Sequence, residues 1–226
     1  PLVFSVHSVV SMDFATSLVP GWHSTIYPPY FVAGAIFSGF AMVQTLLGIM
    51  RKTMKLEAYV TRKHVEYMNI VIMVTGGIVA VAYATEFFMG WYSGVEYEYY
   101  TYMSVGAATG QYAWAFWALI ICNILIPGTL WFKKVRTSSF WSWAISIVIN
   151  VGMWFERFDI IVLCLHRDYM PSGWTMFYPS WVDVGTFVGT IGIFFTFYLF
   201  FARYFPVLAF NELKTILKSS GESYKG

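Results

Sequence analysis

Long apolar runs separated by short polar segments dominate the hydrophobic pattern of this chain. Five of these runs have the length of about twenty residues that an α-helix needs to cross a bilayer. They cover residues 26–50, 68–91, 112–132, 140–165 and 181–204, and a partial sixth run covers residues 1–19. The pattern predicts an all-α, multi-pass transmembrane helical bundle over residues 1–210, followed by a polar cytoplasmic tail over residues 211–226.

The composition agrees with a membrane protein and argues against a soluble domain. The chain is 58% hydrophobic and 21% aromatic, and only 12% of its residues are charged. A soluble domain carries roughly twice that charged fraction. The first run begins inside apolar sequence, with no positively charged leader before it. We therefore expect the 226 residues to be the later part of a longer membrane protein.

Basic residues are concentrated in alternate loops. Lys and Arg follow the first, third and fifth full spans, and 12 of the 14 basic residues lie on that side. Because loops rich in Lys and Arg face the cytoplasm, the pattern predicts that these loops and the C-terminal tail are cytoplasmic. The acidic and aromatic loop at residues 93–111 and the loop at residues 169–181 are then predicted to lie outside.

Ionisable residues inside two of the full spans are candidates for function. Glu156, Arg157 and Asp159 stand in the fourth span, and charges at membrane depth are costly, usually paired and functional. Neighbouring helical residues point about 100° apart, so we expect Glu156 and Arg157 to find partners on other helices. Glu86 in the second span also needs a partner, and Tyr83, three residues before it, could donate to it on the same helical face.

Two further ionisable residues occupy the partial first span. His7 and Asp13 are six residues apart, which places them on adjacent helical faces. Both can accept a proton from a bound hydroxyl, and the alternative is that Asp13 sits in water at the membrane interface. Cys122 and Cys164 show no paired spacing, so the sequence predicts no disulfide framework, haem attachment or iron–sulfur cluster.

Four strings in the chain carry a family resemblance. They read VHSVVSMDFA, PGWHSTIYPPYFVAGAIFSG, EFFMGWYSG and GMWFERFDIIVLCLHRDYMPSGW. In this order they resemble the NrfD/PsrC family of quinone-reactive membrane subunits, and within it the ActC type of bacterial Alternative Complex III. The ActF type is also similar. The likeness covers nearly the whole chain, which would form the later half of an NrfD-like protein.

The resemblance implies a quinol-oxidising subunit of the bacterial cytoplasmic membrane. His7 and Asp13 would bind and oxidise quinol, menaquinol in particular, near the outer face. Electrons would pass to an extrinsic iron–sulfur protein and a multihaem cytochrome c, with a second NrfD-like subunit as a further partner. The chain itself would bind no metal, haem, cluster or nucleic acid. The residues implied to carry protons are Glu86, Glu156, Arg157, His166 and Asp168. Asp159 stands where an apolar residue is expected in relatives, and it receives no role.

Two other functions fit the same residues. The chain could be a structural anchor for extrinsic subunits, with Glu156 and Arg157 as a buried ion pair. It could also be a proton-conducting subunit or proton-coupled transporter that uses the same carboxylates. A haem-binding anchor is disfavoured because axial ligation needs histidines within the spans, and only His7 lies well inside one.

Overall fold

The computed structural model describes residues 1–19, 21–22, 24–102, 110–167 and 169–205. Its α-helices are α1 (Leu2–Ala15), α2 (Tyr27–Thr53), α3 (Arg62–Tyr92), α4 (Glu96–Tyr99), α5 (Ala113–Ile120), α6 (Ile126–Gly128), α7 (Lys133–Arg136), α8 (Ser139–Phe158) and α9 (Trp181–Tyr204). Short 3₁₀ segments lie at Leu56–Ala58, Thr129–Trp131 and Pro171–Gly173. A first π-helical turn covers Ile121–Leu125, and a second covers Asp159–Leu163. The prediction of an all-α, multi-pass membrane protein is confirmed.

Within the described ranges, four helical segments are long and apolar enough to cross a membrane. They are Tyr27–Thr53, Arg62–Tyr92, Ala113–Trp131 and Trp181–Tyr204. α8 carries most of the predicted span 140–165 but does not join this group, because its serines, Asn150 and Glu156 dilute its apolar content. α8 packs along α2, with Trp143 beside Gly48 near one end and Met153 beside Gly34 near the other. Its buried face therefore lies at the depth of a spanning helix.

α2 is the central helix of a compact unit formed by residues 1–176. It packs against α1, α3 and α8. Phe37 and Ala41 on α2 are completely buried in this packing. The Phe37 ring fills the space beside Gly76 of α3, where an added Cβ would lie 2.9 Å from Cε2 of the ring. Gly76 thus lets α2 and α3 approach closely, as small residues do between membrane helices.

A buried polar network joins α2, α3 and α8 near the basic loops. The Gln44 amide on α2 donates to Asn69 Oδ1 on α3 at 3.0 Å. The Asn69 amide donates in turn to the Ser142 hydroxyl of α8 at 2.7 Å and to the Arg136 carbonyl at 2.8 Å. Neutral side chains form these bonds without the desolvation penalty of buried ions. The network therefore fixes the mutual register of three helices at this end.

The second compact unit begins at Phe177 and contains α9. A capping box starts the helix, because the Asp183 N–H donates to Ser180 Oγ at 3.3 Å and the Ser180 N–H donates to Asp183 Oδ2 at 2.8 Å. The helix bounds coincide with the apolar run at 181–204. α9 carries its own apolar side chains on all sides, and this pattern is typical of a membrane span.

Gly152 of α8 is a close-packing point that a substitution can test. A Cβ at this position would lie 2.7 Å from Cys122 Cβ and closer still to the Asn123 amide oxygen, both on the first π-helical turn. We expect Gly152→Ala to lower the thermal unfolding midpoint of the purified protein, because overpacking costs about 1–3 kcal/mol. Gly39→Ala is the matched control, since nothing lies within 4 Å of its added Cβ. Equal midpoints for the two variants would contradict the close approach of α8 to this turn.

Candidate functional site

Glu156 lies at the centre of a buried polar site and is 1% exposed. The Tyr83 hydroxyl of α3 donates to Glu156 Oε2. The Asn123 amide of the first π-helical turn donates to the Tyr83 hydroxyl oxygen at 3.2 Å. On its other side, Glu156 Oε1 lies 3.6 Å from Nη1 of Arg157. Glu156 is therefore held by Tyr83 of α3 and by Arg157 of its own helix, and Asn123 orients the Tyr83 hydroxyl.

Three carboxylates line a small cavity beside Glu156. They are Glu86 of α3, Glu156 of α8 and Asp159 of the second π-helical turn, and we call them the carboxylate cluster. The tyrosines Tyr27, Tyr30, Tyr83 and Tyr102 line the same cavity. Its volume is about 60 Å³, which has room for water, whereas a cavity that holds benzene measures about 150 Å³. The cavity therefore has room for water and is too small for a quinone ring.

The carboxylate cluster contains buried oxygens that lack hydrogen-bond donors. Within the described part of the chain, Glu86 Oε1 and both carboxylate oxygens of Asp159 are buried without a hydrogen-bond partner. Buried polar atoms are almost always satisfied by protein or by ordered water, so such oxygens need an explanation. Water in the adjoining cavity, or protonation of the carboxyl groups, would satisfy them. Carboxyl groups in such a site are chemically able to exchange protons with water.

Two π-helical turns place polar side chains at this site. Asn123 lies in the first turn, and Asp159 begins the second turn directly after α8. A π-helical turn changes the direction of the side chains that follow it, and such turns are frequent at functional sites. The second turn also presents the Ile160 carbonyl, which accepts a hydrogen bond from Trp22 Nε1 at 2.8 Å. Local helix irregularity thus contributes directly to the shape of the site.

Three aromatic rings lie where α1 packs beside Arg157. They belong to Phe14, Trp22 and Phe31, and we call them the aromatic wall. The Arg157 guanidinium lies over the Phe31 ring at 4.9 Å from its centroid. The Phe31 ring packs on Phe14 of α1 with centroids 5.4 Å apart, and Phe14 also packs edge-on against Trp22 at 4.8 Å. Asp13 is the neighbour of Phe14 in sequence. The wall therefore connects the part of α1 near Asp13 to the ion pair of Glu156.

The two residues predicted to bind quinol lie on α1, outside the cavity. His7 is partly buried, and its Nδ1–H donates to the Val3 carbonyl at 2.9 Å. This bond leaves Nε2 as a proton acceptor. Asp13 is exposed. No hydrogen bond joins His7 to Asp13 in the described ranges, so the structure does not bring them into direct contact. Their assignment to quinol stays a prediction.

His166 and Arg167 follow the second π-helical turn. His166 is buried, its Nδ1–H donates to the Leu163 carbonyl at 2.8 Å, and its ring packs edge-on against Tyr112 at 5.1 Å. Burial lowers the pKa of His166, which favours the neutral ring. Arg167 stacks over the Tyr100 ring at 5.0 Å. Of the predicted proton carriers, Asp168 falls outside the described residues, and His166 does not line the cavity of the carboxylate cluster.

One expectation about the partners of these charges needs correction, and two others need an addition. Tyr83 was expected to donate to Glu86 on its own helix, which is wrong, because its hydroxyl donates to Glu156. Glu156 and Arg157 were expected to find partners on other helices, and they do so in Tyr83 of α3 and Phe31 of α2, but they also form an ion pair with each other. Asp159 received no role, although it lines the cavity. Its spacing of three residues from Glu156 was the available signal, since such residues share a helical face.

One known protein family matches most of this chain. The family described as "Polysulphide reductase, NrfD" matches residues 2–166, which include α1 and the whole carboxylate cluster. A search of curated proteins finds no match. Members of the matching family are membrane subunits of quinol-interacting redox enzyme complexes, in which they associate with other subunits. The family match covers more than half of the chain, and the chain therefore belongs to the NrfD family.

Proposed function

We propose that this protein binds and oxidises quinol as a membrane subunit of an electron-transfer complex similar to Alternative Complex III. The observation that carries the proposal is the buried carboxylate cluster, with its unpaired oxygens around a water-sized cavity, in a member of the NrfD family. Oxidation of a quinol by two electrons also releases two protons. A quinol site therefore needs bases at the quinol and a route that carries protons away.

Quinol is proposed to bind against α1, because the cavity of the carboxylate cluster is too small for its ring. His7 offers Nε2 as an acceptor, since its Nδ1–H is already donated to the Val3 carbonyl. Asp13 offers an exposed carboxylate one and a half turns further along the helix. One hydroxyl of the quinol would donate to each base. His7 and Asp13 would then bind the substrate and accept its protons.

The carboxylate cluster is proposed to carry the released protons onward. Protons would move from Asp13 past the aromatic wall to Glu156, and then through water in the cavity to Glu86 and Asp159. Arg157 would tune the charge of Glu156 from its position 3.6 Å away. His166 and Asp168 are kept as proposed carriers near the end of this route. Asp159 is added to the route because it lines the same cavity.

The remaining partners follow from the same proposal. Menaquinol is the proposed substrate, and the proposed electron acceptors are an extrinsic iron–sulfur protein and a multihaem cytochrome c on the outer face. The basic loops and the C-terminal tail are proposed to face the cytoplasm of a bacterial cell. A second NrfD-like subunit would complete the membrane part of the complex.

A second candidate function is a proton-conducting subunit without its own quinol site. The observation that favours it is that the carboxylate cluster and its cavity would serve proton transfer whether or not quinol binds to α1. The two functions differ in what contacts α1. Only the first function requires quinone beside His7 and Asp13.

Photoaffinity labelling distinguishes these functions. The intact complex would be irradiated with an azido-quinone, digested, and mapped by mass spectrometry. We expect labelling of α1, within residues 2–15, that excess unlabelled quinone suppresses. Labelling confined to other subunits of the complex would contradict quinol binding by this chain and favour the proton-conducting function. A quinone located in density against His7 would support the same conclusion independently.

A further inference from the structure

A large apolar cavity opens at the end of α2 that carries Arg51 and Lys52. It measures about 500 Å³ and lies between α2, the 3₁₀ segment Leu56–Ala58 and the start of α8. Its surface is mostly apolar, and Leu47 and Trp143 are among its walls. The cavity lies at the C-terminal end of α2, whereas Tyr27 and Tyr30 at the start of α2 line the cavity of the carboxylate cluster. The two cavities share no lining residue. We call the larger one the apolar cavity.

A polar cavity of about 410 Å³ adjoins the apolar cavity. Arg62 and Lys134 supply two cations to it, and Thr137 adds a polar side chain. Ser139 and Phe140 line both cavities, so the two spaces meet at the start of α8. A ligand with a charged end and an apolar end could therefore occupy both at once.

Arg51 is fixed at the junction of the two cavities. Its Nε–H donates to the Val60 carbonyl at 2.8 Å, and Nη1 donates to the Ser139 hydroxyl at 3.5 Å. The guanidinium has five N–H donors, and these two bonds leave others available. Because the side chain is already ordered, an anion bound here would lose little affinity to the cost of immobilising it.

The two cavities carry an excess of positive charge. Four cations line them, namely Arg51, Lys52, Arg62 and Lys134. Within the described ranges none of these four forms an ion pair with a carboxylate. Glu57 is an exposed acid at the apolar cavity, and nearby Glu66 already pairs with Arg136 at 3.5 Å. The unpaired cations therefore suit an anionic ligand.

We propose that the two cavities together bind one anionic phospholipid, with its phosphate in the polar cavity and an acyl chain along the apolar cavity. α2 is a candidate span, and basic residues at the end of a span lie at the level of the lipid headgroups. Basic pockets between membrane helices bind acidic headgroups through this combination of charge and position. Free phosphate would need the polar cavity alone, whereas a phospholipid uses both. This lipid site is independent of the proposed quinol chemistry.

The first test removes two cations of the polar cavity in the intact complex. Arg62→Gln/Lys134→Gln would be titrated with phosphatidylglycerol and analysed by native mass spectrometry. We expect roughly 25-fold weaker binding, because each basic residue near an anionic lipid contributes about fivefold. Lys63→Gln/Lys133→Gln is the matched control, since it removes the same charge at exposed neighbouring positions that do not line the cavities. Equal weakening in both variants would overturn the proposal in favour of general charge attraction.

The second test separates a phospholipid from free phosphate. Leu47→Trp narrows the apolar cavity and leaves all four cations in place. We expect it to weaken phosphatidylglycerol binding while the binding of inorganic phosphate is unchanged. Unchanged phosphatidylglycerol binding by this variant would show that the apolar cavity holds no acyl chain and would overturn the proposal. Thermal unfolding of each variant checks that the loss of lipid does not reflect loss of the fold.

Discussion

Replacement of Asp13 by Asn in the intact complex is expected to lower quinol turnover by about 10²-fold or more while the complex still assembles. A positioned base contributes about 10²–10⁴-fold to a proton transfer, and an amide cannot accept the proton of a quinol hydroxyl. Asp13 is exposed on α1, so the substitution leaves the packing of the helix intact. The measurement is the rate of quinol oxidation by the purified complex, with kcat and KM determined separately.

A carboxylate outside the proposed site provides the control for Asp13. Glu96 is an exposed acid in α4, and Glu96→Gln removes the same charge without touching α1. We expect wild-type turnover from this variant. Asp13→Asn with unchanged kcat and KM would remove Asp13 from the mechanism and restore the reading of this residue as an interfacial carboxylate in water.

Hydropathy locates the apolar part of a span but not the residue at which its helix begins. The apolar run at 68–91 lies within α3, which starts six residues earlier at Arg62. A capping box explains the difference, because the Thr61 N–H donates to His64 Nδ1 at 3.2 Å and fixes the first turn in polar sequence. The π-helical turn at Ile121–Leu125 was likewise invisible, since hydropathy carries no information about hydrogen-bond register.

Small residues on one helix differ in whether another helix lies against them. Gly34 of α2 lies against Met153 and Glu156 of α8, and small residues let membrane helices approach closely. Gly39 on the same helix has nothing within 4 Å of an added Cβ. A stripe of small residues thus indicates that a helix can be approached. Which member of the stripe is used depends on the rotation of the helix in its packing.

The contacts within the candidate site also depend on how the helices pack, which the spacing of residues along one helix does not show. The depth of Glu86 and Glu156 in apolar sequence was sufficient to select both carboxylates. The partner of Tyr83 could not be selected in this way, because the contact joins α3 to α8 across the bundle. Asp159 shares a helical face with Glu156, and only the fold shows that this face meets Glu86 at a cavity. Pairing across helices is a tertiary property that spacing along one helix does not encode.

Replacement of Glu156 by Gln is expected to lower quinol turnover by about 10²-fold, the lower end of what a positioned proton-transfer group contributes, while the complex assembles normally. Gln has nearly the same shape, and its amide oxygen can still accept the hydrogen bond from Tyr83. What it loses is the ability to bind and release a proton between α1 and the cavity. Steady-state turnover and the amount of assembled complex would be measured on the same preparation.

Glu156→Asp is the companion variant, because it keeps a carboxylate on a side chain that is shorter by one methylene. If Glu156 transfers protons, the Asp variant should retain more turnover than the Gln variant, although its shorter side chain disturbs the contact with Tyr83. A structural role through the ion pair with Arg157 predicts a different result. In that case Glu156→Gln would leave the turnover of assembled complexes intact and reduce assembly, and the protein would be better explained as an anchor for the extrinsic subunits.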